Sequence, residues 1–101
     1  MKLADLSPRW LTPEYFVFLC PHCRKAWLAC KKVLMTDVEQ MELLEREFGE
    51  ELSNVIGARS DYAWSFASGA DFATLTVTPS IDASCSGGGH WHGFVTNGEI
   101  R

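Results

Sequence analysis

The sequence predicts an α+β fold: a small, mostly antiparallel β domain with a Cys-x-x-Cys hairpin and one amphipathic helix. Three observations carry this. Short runs of aromatic and β-branched residues recur between turn signals, which is the pattern of strands. Two of those runs are joined by Cys20-Pro21-His22-Cys23, a tight turn. One stretch, opening at Thr36, replaces period two with apolar residues at steps of three and four.

Pro8 and Pro13 break residues 1–13 into an extended leader, with Trp10 and Leu11 as packing residues. Residues 14–19 (E-Y-F-V-F-L) read as a strand and run straight into the cysteine turn. Residues 25–30 alternate Ala26, Leu28 and Cys30 against Trp27 and Ala29, which returns the chain as the second strand of a hairpin. Thr36-Asp37-Val38-Glu39 has the capping-box spacing, in which hydroxyl and carboxylate satisfy amides that a helix start leaves unpaired. Val38, Met41, Leu44, Phe48, Leu52 and Val55 then form one apolar stripe, predicting a helix over 36–55. Gly49 lies inside this stripe, where it either caps the helix or is tolerated within it.

After Gly57 the period returns to two. Residues 62–67 and 72–78 are expected to be strands separated by Ser68-Gly69-Ala70-Asp71, with Pro79-Ser80 ending the second. Residues 84–89 read as a small-residue loop and 91–96 as a strand. Asn97-Gly98 is a strong hairpin signal, with 99–101 returning.

Composition bounds the function. The chain has 101 residues, enough for one domain over 1–101, and 47% apolar residues with four Trp exclude a disordered chain. A domain this small gains from a structural metal. Its net charge of -4 does not favour a nucleic-acid partner. The acidic residues gather between Asp37 and Glu51, the solvated face of the helix. Met1-Lys2-Leu3 is followed by Asp5, Pro8 and Arg9, so no apolar signal region forms, and the run from Tyr15 to Cys20 is too short to span a bilayer. A cytoplasmic setting away from membranes is expected, where four cysteines point to metal or redox chemistry before disulfides.

Cys20 and Cys23 have the spacing of the first half of a zinc site, because a two-residue spacer lets both thiolates face one ion. The second half must come from Cys85, His90 and His92. In His90-Trp91-His92 the two imidazoles would share one side of a strand, with Trp91 turned to the core. Residues 87–89, three glycines, would let the backbone approach, and Cys85 could take the place of His90 if that loop folds back. Cys30 reads as a small buried hydrophobe. The expected cofactor is one Zn2+ per chain.

Cys20-Pro21-His22-Cys23 is also a dithiol sequence, and a glutaredoxin-like oxidoreductase would start from strand 15–19 and use Thr78-Pro79 as a cis-proline facing it. A third chemistry is zinc hydrolysis, with three ligands, a water, and Asp71, Asp82 or Glu99 as base. A zinc deaminase fails, because Pro21 lies inside the cysteine pair and neither His90 nor His92 has a Glu two residues later. Residues 87–89 are not a phosphate loop, since no Gly-Lys-Ser/Thr follows.

Phe18-x-Cys20-Pro21-x-Cys23, Trp64-x-Phe66, Thr74-Leu75-x-Val77-Thr78-Pro79-Ser80-Ile81 and Trp91-His92-Gly93-Phe94-x-x-Asn97-Gly98-Glu99-Ile100 together resemble an uncharacterised domain family of bacteria and tailed bacteriophages. The resemblance covers roughly residues 14 to 101. It implies a zinc-ribbon-like site on a small β fold, with Cys20, Cys23 and His92 as ligands. Relatives place a Cys just before the Trp-His pair where this chain has Gly89, which leaves Cys85 or His90 to supply the fourth. It further implies a helix 36–55 inserted into the family's shortest form, and, for a phage-encoded chain, the host cytoplasm. The function read from all of this is a small zinc-binding protein, its zinc mainly structural, acting through contacts with a protein partner. Its alternatives are the open-site hydrolase and the dithiol oxidoreductase.

Overall fold

The computed structural model describes residues 1–56, 62–83 and 90–101. The fold is α+β: among the described residues there are one α-helix and two mostly antiparallel sheets. The first sheet contains β1 (Arg9–Thr12), β2 (Tyr15–Leu19), β3 (Trp27–Lys31) and β4 (Val55–Ile56), in that spatial order. The β1–β2 and β2–β3 pairs are antiparallel, and β4 joins β3 in parallel. The second sheet contains β5 (Val77–Asp82), β6 (His92–Thr96) and β7 (Glu99–Ile100), all antiparallel. Between β3 and β4 in sequence lie α1 (Asp37–Phe48) and a 3-10 segment, Gly49–Asn54.

β2 explains the layering. Its sequence, Tyr-Phe-Val-Phe-Leu, has no polar face, and its first four residues are all buried. A strand of this kind must be covered on both sides. Phe16 and Phe18 face one core together with Leu28, Cys30, Val77, Ile81 and Val95, which brings the second sheet onto this side. Tyr15 and Val17 face the other core with Ala29, Leu43, Leu44 and Phe48, which is where α1 packs. Arg9 lies over the Phe48 ring at 5.1 Å and ties β1 to the helix end.

The helix starts as its sequence directs. Thr36 accepts from the Glu39 amide at 3.1 Å, and the Glu39 carboxylate accepts from the Thr36 amide at 3.2 Å, a complete capping box. Its end differs from the expected residue 55. Gly49 takes a φ of 54° and terminates the α-helix after Phe48, and the remainder tightens into the 3-10 segment. The buried face also differs from the predicted stripe. Gln40, Leu43, Leu44 and Phe48 are buried, whereas Val38 and Met41 are exposed. The cause is Tyr15, whose hydroxyl donates to Gln40 Oε1 at 3.2 Å and turns a polar residue inward.

Three strand expectations are corrected. Within 62–67 only Ser65 makes a β-bridge, to Thr78, and Trp64 and Phe66 serve as core side chains. Residues 72–74 form a turn, closed by the Ala73 amide on Asp71 Oδ1 at 2.9 Å. Pro79-Ser80 does not end the following strand, because β5 continues to Asp82. The ladder shifts register between Val77 and Ile81, and a proline that cannot donate is accommodated at such an irregularity. The leader also gains order: Leu3–Leu6 is a 3-10 turn and Arg9–Thr12 is β1. The Asn97-Gly98 hairpin is as expected, with φ of 49° and 75°.

Candidate metal centre

Cys20 directly follows β2, and the turn after it is held by its own backbone. The Cys20 amide donates to the Ala26 carbonyl at 2.8 Å, and the Arg24 amide donates to the Cys20 carbonyl at 2.8 Å. Arg24 adopts a φ of 55°, the left-handed conformation that lets the chain reverse within so few residues. The Ala26 amide then points at Cys23 Sγ, 3.4 Å away. Backbone donation from Ala26, and next from Lys25, holds the Cys23 thiol below its ordinary range and favours the thiolate that a metal needs. Cys20 is fully buried and Cys23 is exposed, so the pair spans the boundary between core and solvent.

His90 reaches this turn from the other sheet. It lies two residues before β6, beside Trp91, which is buried and meets Phe18 edge-on at 6.1 Å between ring centroids. Trp91 also accepts from the Ala83 amide at 2.9 Å, which holds the start of β6 against the end of β5. Phe18 is two residues before Cys20 and Trp91 is one residue after His90. The core contact therefore brings the ligands together. Cys23 Sγ lies 3.8 Å from His90 Nδ1, and the donor atoms of Cys20, Cys23 and His90 all lie within 4.8 Å of one another.

A tetrahedral zinc site with Zn–S near 2.3 Å and Zn–N near 2.0–2.1 Å places its donors roughly 3.5–3.8 Å apart. The Cys23–His90 distance of 3.8 Å matches that spacing, the whole group lies within 4.8 Å, and the three residues could hold one metal ion. Two thiolates and an imidazole are donors that suit zinc.

The structure sorts the other candidates. His92 is exposed, and its Nε2 lies 3.4 Å from Ser80 Oγ, outside the three-donor group. Alternation was expected to put His90 and His92 side by side. β6 begins only at His92, so the strand rule does not extend back to His90. Cys85 and the glycines at 87–89 lie outside the described residues. Cys30 is buried on the core side of β3, and burial pushes its thiol well up. Asp71 caps its own turn and Glu99 lies 3.9 Å from Arg101, while Asp82 is on β5 across from His92. None of the three belongs to the donor group.

Thr78–Pro79 is a cis peptide. The chain after Cys23 is a turn leading into β3, so the helix that a glutaredoxin-like dithiol uses to lower its thiol pKa is replaced by a strand. Sequence alone ends the strand at residues 79–80, whereas β5 runs through Ser80 to Asp82 and brings Ser80 Oγ to 3.4 Å from His92 Nε2. The alternation Ser80, Ile81, Asp82 running into a covered strand is the signal that could have shown it. Among the described residues no helix is long and apolar enough to cross a membrane. Comparison with family models, with curated proteins and with solved structures finds no match to this chain, and the site rests on its geometry.

Proposed function

We propose that the chain is a small zinc protein whose metal is structural, clamping the β2–β3 turn to the start of β6, and which works through contacts with a protein partner. The observation that carries this is the convergence of Cys20, Cys23 and His90 from two different sheets, with donor atoms within 4.8 Å. A metal bound there would cross-link the two layers at one end of the core, where a 101-residue domain has little other reserve. In this reading Cys85 supplies the fourth ligand and closes the shell, which makes the ion structural. The resemblance to a bacterial and phage family with a zinc-ribbon-like site supports Cys20 and Cys23 as ligands, while His90 takes the place of the His92 that it implies, and the setting we propose is a bacterial or phage-infected cytoplasm.

The test is metal content and X-ray absorption on protein purified without added metal. One zinc per chain with three sulfurs and one nitrogen is expected. A chain that binds no zinc at micromolar concentration overturns the proposal. Two sulfurs with two light donors would replace Cys85 by His92 or by water, and a His92→Gln variant separates those two. Water in the shell would open the site to hydrolytic chemistry.

A further inference from the structure

The link from β3 to α1 leaves apolar side chains in water. It carries Val33, Leu34 and Met35 in succession, immediately before the Thr36 cap. Met35 packs against the core that Tyr15 and Leu43 share, but Val33 is 53% and Leu34 is 60% exposed. Val38, in the first turn of α1, is 67% exposed. Single exposed apolar side chains are ordinary on a folded surface, whereas several gathered in one short stretch mark a contact face.

These residues border a groove. Two hollows of about 230 and 270 Å³ share Thr12, Met35, Glu39 and Leu43 in their walls, so they run together between the end of β1 and α1. Val33 and Leu34 line one of them, and Arg46 lines the other. Each is smaller than the pockets of about 300–1,000 Å³ that enclose a whole organic ligand. Joined, they suit side chains presented by a peptide segment laid along α1.

The walls are also acidic. Glu14, Glu39 and Glu42 line the groove against one cation, Arg46. Lys32, next to Val33 in sequence, directs its ammonium to Ser68 Oγ at 3.0 Å. The net charge of -4 gives the whole chain the same sign as the groove, which attracts a cationic partner from a distance.

We propose that this groove docks a short basic segment of a protein partner. A Leu, Ile or Met of that segment enters beside Val33 and Leu34, and its Lys or Arg side chains meet Glu14 and Glu42. The inference rests on the protein-partner part of the proposed function and stands apart from its zinc part, since no groove residue belongs to the donor group. Burial of the apolar anchor supplies most of the affinity, while the charges set orientation and on-rate. Nucleic acid is a poor occupant, because its phosphates would face three carboxylates.

The test selects a random peptide library on the full chain, with zinc content measured on every sample. Selected peptides are expected to combine Leu, Ile or Met with two or more Lys or Arg. The strongest is then resynthesised with a fluorophore and titrated by anisotropy. Leu34→Ser should weaken it at least about tenfold, as the loss of an anchor contact does. The double variant Glu14→Lys, Glu42→Lys should weaken it at about 0.1 M salt, with the gap closing at about 1 M, where charges are screened within about 3 Å. All three positions are exposed, so thermal unfolding of the variants should match the parent. A library that yields no peptide, or only acidic or uncharged ones, overturns the proposal. So does a selected peptide that Leu34→Ser binds at parent affinity, which would leave a partner docking elsewhere. Sedimentation and vesicle binding of the free chain check the other occupants. A dimer that Leu34→Ser dissociates, or uptake onto phosphatidylcholine vesicles that Leu34→Ser abolishes, would give this face to a second copy or to lipid and overturn the peptide assignment. A folded, zinc-free chain that binds basic peptides through Leu34 would sink the metal reading and leave this one standing.

Discussion

Phe18 and Trp91 meet edge-on at 6.1 Å between ring centroids, and each stands within two residues of a metal-ligand candidate. One packing contact thus fixes the separation of the Cys20–Cys23 turn from His90. Aromatic pairs of this geometry contribute about 0.5–1.5 kcal/mol beyond the area they bury. Here the pair also positions a site.

Replacing Trp91 by Ala should therefore do two things at once. Truncating a buried aromatic costs about 3–5 kcal/mol. It should also weaken zinc binding in the fraction that remains folded, because His90 loses the neighbour that holds it at the turn. Leu75→Ala, in the same core but remote in sequence from the ligands, should destabilise without that second effect. Zinc titration of the two variants under conditions where both are folded compares them. Equal zinc affinity in both would break the link between core and site.

Removing the metal should be costly. For a ligand that binds only the folded state, a zinc concentration a thousandfold above Kd adds about 4 kcal/mol. In a domain near 100 residues each kcal/mol moves Tm by about 4–8 °C. Chelation is then expected to lower Tm by roughly 15–30 °C, and Cys20→Ser to leave a chain that no longer responds to chelator. The acid limit follows from Cys23, whose thiol is held below its ordinary range by the Ala26 and Lys25 amides. A depressed folded-state pKa contributes stability that is present above the ordinary value of 9.0 and is lost as pH falls through the folded value. Zinc release and loss of Tm should therefore coincide on the acid side. A Tm unchanged by chelator would remove the structural role.

Much of the arrangement was legible where one local rule acts alone. The capping box at Thr36, the Cys20–Cys23 turn between two strands and the Asn97-Gly98 hairpin each depend on residues within four positions of one another. Errors came where distant contacts decide. Gln40 turns inward only because Tyr15 of β2 is there to meet it, so the helix buries a different face from its apolar stripe. Trp64 and Phe66 look like strand residues, yet they serve as core fillers in a segment with a single bridge. The resemblance implies His92 as a ligand, whereas β6 begins at His92, two residues after His90, and the donor group holds His90 with the two cysteines.

Gly98 should tolerate no side chain. Its φ is 75°, and a Cβ there would run into the carbonyl of Ala73. The Gly98 amide also donates to the Leu75 carbonyl at 2.8 Å, and its carbonyl accepts from the Leu3 amide at 2.8 Å. A Gly98→Ala change meets strain and collision together and should cost more than the 1–2 kcal/mol expected for left-handed backbone alone. Gly69, with φ 61° and open surroundings, is the matched control, since Gly69→Ala meets only the strain. Urea midpoints of the two variants measure the difference, and equal losses would show that the Ala73 contact yields freely.

Alkaline stability should be set by two buried groups that share one strand pair. Cys30 on β3 has its thiol raised by burial above 9.0, and Tyr15 on β2 has its phenol raised above 10.0, first by burial and then by the proximity of Cys30. Both are neutral in the folded chain at ordinary pH. In the unfolded chain Cys30 ionises above about 9 and Tyr15 above about 10, so the folded state then holds more protons than the unfolded one. A raised folded-state pKa gives stability that is complete below the unfolded value and lost as pH rises. Each group should contribute a slope of about 1.4 kcal/mol per pH unit once the solution passes its unfolded value. Unfolding free energy measured in urea at constant zinc should thus be level up to pH 8, fall between 9 and 10, and fall more steeply beyond. Cys30→Ala removes the first of these titrations at the cost of a small cavity, so its curve should start lower and begin its decline one pH unit later. If the variant declines from pH 9 with the parent's slope, the loss belongs to another group and Cys30 is not what limits the fold in base.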